Sequence, residues 1–152
     1  MTAWSARLVE LGLTLPPVAA PLAAYVPAVR SGAQVFTSGQ LPLVDGKLLA
    51  TGKVGAQVSA EQGKELARTC ALNALAAVHA LVGIDSVVRV VKVVGFVASA
   101  EGFTGQPGVV NGASELLGEV FGEAGVHARS AVGVAELPLG SPVEVELVVE
   151  VR

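Results

Sequence analysis

The sequence predicts an α+β fold: one mixed β-sheet with two helices packed on one face, in a single domain spanning residues 1–152. Three observations predict it. The segments run arm, hairpin, helix, strand, helix and two strands, in that order. Both helices are long enough to cross a sheet, which lets some strands pair in parallel. The strands are rich in valine, the composition of a sheet that is covered rather than wet.

The first twenty residues read as a short helix and a proline-rich arm. Trp4, Leu8 and Leu11 fall at spacings of four and three, Thr2 is placed to cap the helix, and Gly12 to stop it. From Leu13 to Pro27, Pro16, Pro17, Pro21 and Pro27 exclude a helix, while Val18, Leu22, Tyr25 and Val26 give the segment apolar groups to pack with. Val26–Arg30 and Gln34–Gly39 then form a hairpin about Ser31-Gly32. Gly39, at the end of a strand, predicts a bulge or a close backbone approach. Asp45-Gly46 marks a turn, and Thr51–Val58, with Gly52 and Gly55, is irregular.

Ser59-Ala60-Glu61-Gln62 is a capping box that opens the clearest helix. Leu66, Cys70, Ala74, Ala77, Val78 and Leu81 line one face of it, and Gly83 ends it. Cys70, the one cysteine, reads as a buried core thiol, and Asn73 and His79 as solvent-facing or locally bonded. Ser86–Ser99 carries valines on both parities, the pattern of a strand buried on both faces. Gly102–Pro107 is a loop, Val109–Phe121 the second helix, and Gly125 closes it.

His127–Arg152 reads as two strands joined by a turn at Leu137–Pro142. On the second, Val143, Val145, Leu147, Val149 and Val151 alternate with a face carrying Glu144, Glu146 and Glu150, of which Glu146 and Glu150 read as solvated. On the first, Arg129 shares a face with Ala131, Gly133 and Ala135. A guanidinium above small residues is placed to receive a flat anion, because its fork matches a carboxylate. The residues alone equally describe an arginine at a sheet edge in water.

Composition narrows the function. The chain is 52% hydrophobic with only 15% charged residues, and its mean hydropathy is +0.64. The apolar residues come in short blocks, none near the ~20 that a membrane span needs. A sheet with both faces covered, or large apolar area between subunits, explains them better, and the few charged residues favour an oligomer. Net charge is −3 and the ten basic residues are scattered. That lacks the footprint of a nucleic-acid binder. No dinucleotide or phosphate loop occurs. His79, His127 and Cys70 lie on separate elements without metal-ligand spacing. Ser38 sits in no nucleophile elbow. With Arg7 and Glu10 among its first residues, that segment is not expected to act as a secretory signal, and the cytoplasm is the expected compartment.

Three separated blocks resemble one family. They are AAYVPAVRSGAQVFTSGQLP (residues 23–42), the helix with CALNAL (70–75), and HARSAVGVAELP followed by VEVE (127–146). They are similar to the RidA/YjgF family of enamine and imine deaminases, also called L-PSP proteins, over about residues 21–151. Tyr25 stands twelve residues before Thr37, and Arg129 fifteen before Glu144, as in the family pattern. The resemblance implies a chorismate-mutase-like fold, a homotrimer with sites at subunit interfaces, a small-molecule substrate and no cofactor. It implies that Arg129 clamps the carboxylate of a 2-imino or 2-enamino acid and that Glu144 handles the attacking water. Tyr25 would wall the pocket, Ser38 and Gly39 would supply a backbone contact, Asn111 would stand beside the site, and Phe103 would close its rim.

The chain departs from that pattern in three places. Ala131 stands where the best-known deaminases carry a cysteine. Asn111 is one residue further from Arg129. The short members lack the N-terminal helix and arm. The departures bear on substrate range, and two other readings stay open: a non-catalytic binder of small carboxylates, and an endoribonuclease or translation inhibitor. If the last two strands pair across their turn, Arg129 opposes Glu150 and lies on the order of 20 Å from Glu144. The two then meet only across an interface, or Glu144 is not catalytic.

Overall fold

The computed structural model describes residues 3–20 and 23–152; Thr2, the expected cap, and Pro21 and Leu22 of the arm lie outside them. Its elements are α1 (Trp4–Glu10), β1 (Ala28–Ser31), β2 (Gln34–Thr37), β3 (Leu43–Val44), β4 (Lys47–Leu48), α2 (Ala60–Val82), β5 (Val87–Ala98), α3 (Gln106–Phe121), β6 (Ala128–Val134) and β7 (Val143–Val151). Five strands make one mixed sheet in the order β1-β2-β7-β5-β6. β3 and β4 form a separate small hairpin, turning at Asp45 and Gly46, both at positive φ.

β7 is the central strand. Val143, Val145, Leu147, Val149 and Val151 are buried beneath the helices, and Glu144, Glu146, Val148 and Glu150 alternate onto the other face. A slip of one residue would expose all five apolar side chains, at roughly 1.5–3 kcal/mol each, so the register is strongly fixed.

The expected pairing of the last two strands does not occur. A tight turn forms at Pro138–Gly140, with Leu139 at φ 60, but β5 lies between the strands it joins. The crossover β5–α3–β6 lays β6 parallel beside β5. The other edge of β5 is then left for β7, which pairs antiparallel with both β5 and β2.

β5 is also not buried on both faces. Val87, Val90, Val93 and Val97 are buried under the helices, whereas Val88 is 41% exposed. On that second face Val29, Phe36 and Val132 are 53%, 43% and 43% exposed. Among the described residues no helix covers this apolar face.

α2 starts where Ser59 Oγ accepts from the Gln62 N–H at 3.1 Å. Among the described residues, the Gln62 side chain makes no return bond. It ends at Gly83, φ 81. α3 begins at Gln106, three residues earlier than expected, because Pro107 suits a first turn whose N–H groups are free anyway. The two helices touch at Gly112, where a Cβ would overlap the Lys64 carbonyl.

Asn73 is neither solvated nor locally bonded. It is 3% exposed, and its Nδ2 donates to the Leu41 and Leu43 carbonyls at 2.9 and 3.0 Å, pinning the β3 segment. His79 is bonded locally, its Nδ1 accepting from the Ile84 N–H.

α1 docks on the far end of the layer. The Trp4 indole N–H donates to the Val87 carbonyl at 2.7 Å, and its ring meets Phe121 edge-on. The Ser5 N–H and hydroxyl both donate to the Asp85 carboxylate. Leu13 and Leu15 carry the arm along the core.

Candidate functional site

β6 is an edge strand, and Arg129 is paired with Val93 of β5, so its side chain projects toward α3. Arg129 Nη1 donates to Asn111 Oδ1 at 2.8 Å and to Ser114 Oγ at 3.1 Å. Nη2 makes a longer contact of 3.3 Å with the Pro107 carbonyl. Nε has no partner among the described residues. The arginine is half-buried and held in place, which excludes a freely solvated edge residue. Its Nε–Nη2 edge is the one left for a ligand, and that edge is one of the two forks a carboxylate can bridge.

Asn111 and Ser114 stand three apart on α3 and therefore on one face. The small-residue floor beside Arg129 is real, with Ala131 and Gly133 on the same side of β6. It is less open than the sequence implies. A Cβ at Gly133 would stand 2.8 Å from Gln106 Nε2 and 3.1 Å from Ser99 Oγ. The Gln106 amide also donates to the Phe103 carbonyl at 2.8 Å. Phe103 itself lies against Gly55 and Gly105, at the entrance to α3.

A second group forms where β2 meets β7. Phe36 pairs with Val148, but Gln40 bridges Val145, so β2 carries one extra residue between them. This is the bulge that Gly39 predicted. The Thr37 hydroxyl accepts from the Leu147 N–H at 3.0 Å across the irregularity. Gly39 leaves room for the Glu144 carboxyl, whose end lies where a Cβ at this position would stand. Burial raises the Glu144 pKa above its ordinary value, and the neighbouring Glu146 raises it further. The Ser38 hydroxyl donates to the Val26 carbonyl at 2.6 Å, tying the arm to the strand end. Tyr25 and Gly39 line one small cavity of about 20 Å³ with Ala19 and Ala20 of the arm.

The expected site residues therefore fall into two groups. Arg129 and Asn111 stand together on the helix side at the β6 edge. Glu144 and Gly39 stand together at the bulge, with Tyr25 and Ser38 beside them. Along β5 the anchors are Val93 for Arg129 and Phe96 for Glu144. Three residues along and two strands across put their Cα atoms about 14 Å apart. Their side chains leave opposite faces of the sheet.

A family model described as "YjgF/chorismate_mutase-like, putative endoribonuclease" matches residues 5–151. The chain belongs to the YjgF family. Within reach of this YjgF chain is Protein TCP17 of Trypanosoma cruzi, 48% identical over 150 residues that cover 97% of this chain and 94% of that protein. The crystal structure of Atu1372 from Agrobacterium tumefaciens, of unknown function, is 44% identical with a TM-score of 0.90, covering 98% of this chain and 92% of that one. Escherichia coli TdcF, solved with serine bound, is 26% identical with a TM-score of 0.63, covering 91% and 95%.

Four residues around Arg129 in this YjgF chain escaped the sequence reading: Ser99, Gln106, Ser114 and His127. The first three are polar residues with no motif. His127 was weighed only as a metal ligand. Among the described residues no group of His, Cys, Asp and Glu is placed to hold a metal, and no helix is long and apolar enough to cross a membrane. Cys70 is fully buried, and burial, then the Glu144 charge, raises its pKa. That suppresses the thiolate and with it nucleophilic chemistry.

Proposed function

We propose that this chain is a hydrolytic deaminase of 2-imino and 2-enamino acids, releasing a 2-keto acid and ammonia. One observation carries the reading: an arginine fixed by Asn111, Ser114 and the Pro107 carbonyl, with Nε unpartnered above small residues. That geometry suits a carboxylate, and TdcF, a relative, holds an amino acid. Arg129 orients the substrate by its carboxylate and draws charge from the adjacent C=N carbon. Water adds to that carbon, the carbinolamine expels ammonia, and the C=O of the keto acid remains. Glu144, with its pKa raised by burial, suits taking the proton from water and returning one to the departing amine.

Arg129 and Glu144 cannot reach one substrate within one chain. The apolar open face, with Val29, Phe36 and Val132 exposed, suits association of identical chains. In the proposed trimer the Arg129 edge of one subunit meets the Gly39–Glu144 bulge of the next, with Tyr25 and Phe103 as walls.

The non-catalytic carboxylate binder is the second reading. It is favoured by the absence of any acidic partner for Arg129 among the described residues, and by Ala131. Endoribonuclease activity, the name in the family description, is disfavoured by a net charge of −3 and scattered basic residues. An assay decides. An amino acid oxidase generates the imine, and semicarbazide traps whatever is not hydrolysed. The protein speeds keto-acid release, and Arg129→Ala loses that effect by about 100-fold or more, in line with loss of a charged anchor. No acceleration, with keto acids still bound, supports the binder instead.

A further inference from the structure

The guanidinium of Arg129 stands at one end of a chain of hydrogen bonds. Its Nη1 donates to Ser114 Oγ at 3.1 Å. Ser114 Oγ lies 2.9 Å from His127 Nε2, and His127 Nδ1 lies 2.6 Å from the Gly125 carbonyl. The directions follow from chemistry. A carbonyl only accepts, so Nδ1 carries the hydrogen. In the neutral imidazole Nε2 is then the acceptor, so the Ser114 O–H points to it, while a Ser114 lone pair accepts from Arg129, which only donates. Every bond runs the same way: Arg129 to Ser114 to His127 to Gly125.

The far end is rigid. A Cβ at Gly125 would overlap the Leu117 carbonyl, so this backbone is packed directly against α3. His127 precedes Arg129 by two residues and sits on the approach to the same strand. We propose that His127 is a positioning residue: through Ser114 it locks the plane of the Arg129 guanidinium and presents its Nε–Nη2 edge to the substrate. The role rests on the carboxylate-clamp reading of Arg129. Its value is preorganisation, since a long side chain frozen before binding loses little freedom on binding.

A role confined to the turn would use Nδ1, whereas the proposed role uses Nε2. Two substitutions separate them. In His127→Asn the amide nitrogen takes the place of Nδ1 and keeps the Gly125 bond without reaching Ser114. In His127→Gln the amide oxygen takes the place of Nε2 and accepts from Ser114 without holding Gly125. Ser114→Ala and Ser114→Thr cut and keep the middle link from a helical position where both fold readily.

The first readout is nitrogen NMR of the guanidinium groups, with Arg129 assigned by the signal lost in Arg129→Lys. A locked plane gives resolved Nη resonances. The second is the dissociation constant for pyruvate. The expected result is merged Nη lines and about 10-fold weaker pyruvate in His127→Asn and Ser114→Ala, with His127→Gln and Ser114→Thr within about 3-fold of wild type. Resolved lines in both His127→Asn and Ser114→Ala overturn the proposal, as does His127→Gln binding more weakly than His127→Asn. Lines that behave as expected in a protein that binds no pyruvate leave the positioning intact and sink the clamp reading instead.

Discussion

Arg129 and Glu144 leave opposite faces of the sheet, from the two strands that flank β5. Each belongs to a complete local arrangement, and neither arrangement contains an acid and a cation together. Mixing is the direct test of the shared interfacial site. Arg129→Ala chains and Glu144→Ala chains are each inactive alone. Co-refolded in equal amounts, they regain about a quarter of wild-type activity, the share of head-to-tail interfaces that combine one intact partner of each kind. No recovery means the two residues do not share a site.

Gly39→Ala probes Glu144 without touching it. The inserted methyl meets the end of a flexible side chain, so the carboxyl moves aside and the fold persists. Thermal stability changes by about 1 kcal/mol or less, while deaminase activity falls by roughly 10-fold. Activity equal to wild type removes Glu144 from the reaction.

The raised pKa of Glu144 carries a sign for stability. The folded carboxyl holds its proton more tightly than the unfolded one, whose ordinary value is 4.5. Stability contributed by protonation is present below that value and is lost as pH rises through the higher folded value. Glu144→Gln is therefore more stable than wild type at pH 7, and the gap closes on acidification. Melting curves across pH 4–8 check it; a wild type that is the more stable at pH 7 contradicts the burial argument.

Asp85 has the opposite sign. The Ser5 N–H first, then the Ser5 hydroxyl, lower its pKa below 3.8. The contribution of Asp85 to the docking of α1 is thus fully present above 3.8 and is lost as pH falls through the lower folded value. Trp4 is the one tryptophan, so its emission reports this end of the molecule alone. Asp85→Asn shifts the emission to the red at pH 7 and costs about 1 kcal/mol, since the site is exposed and screened. Unchanged emission shows that Trp4 and Leu8 hold α1 without the carboxylate.

Two glycines of α3 give a paired prediction. Gly112 faces the Lys64 carbonyl, and a backbone atom cannot swing away; Gly118 has open space. Gly112→Ala destabilises by about 3 kcal/mol. Gly118→Ala stabilises by about 1 kcal/mol through helix propensity. Denaturant titration of both variants reads the difference, and equal effects would falsify the close crossing of α2 and α3.

Local chemistry was legible in the sequence wherever one residue determined one neighbour. The Ser59 cap, the Asp45-Gly46 turn, the bulge at Gly39 and the alternation in β7 all belong to that kind. Pairing was not legible, because a turn at Leu137–Pro142 suits adjacent and separated strands alike. Only the crossover through α3 decides that β5 stands between them. Asn73 was misplaced for a related reason: its partners are carbonyls thirty residues away, and no pattern within a helix announces them. Arg129 and Asn111 came from family spacing, whereas Ser114 and His127 became visible only once α3 lay across β6.

β7 is the last of the five sheet strands in chain order, yet it occupies the centre of the sheet. Until residue 151 has left the ribosome, β1–β2 and β5–β6 have no strand to join them. Closure must bring residues 34–36 against 148–150 across more than a hundred intervening positions, a long loop that makes folding slow. The nascent chain therefore carries the β2 edge unsealed from residue 37 onward, and the β5 edge from residue 98, until β7 emerges. A stall or truncation ahead of Val143 leaves both edges exposed and prone to pair with other chains.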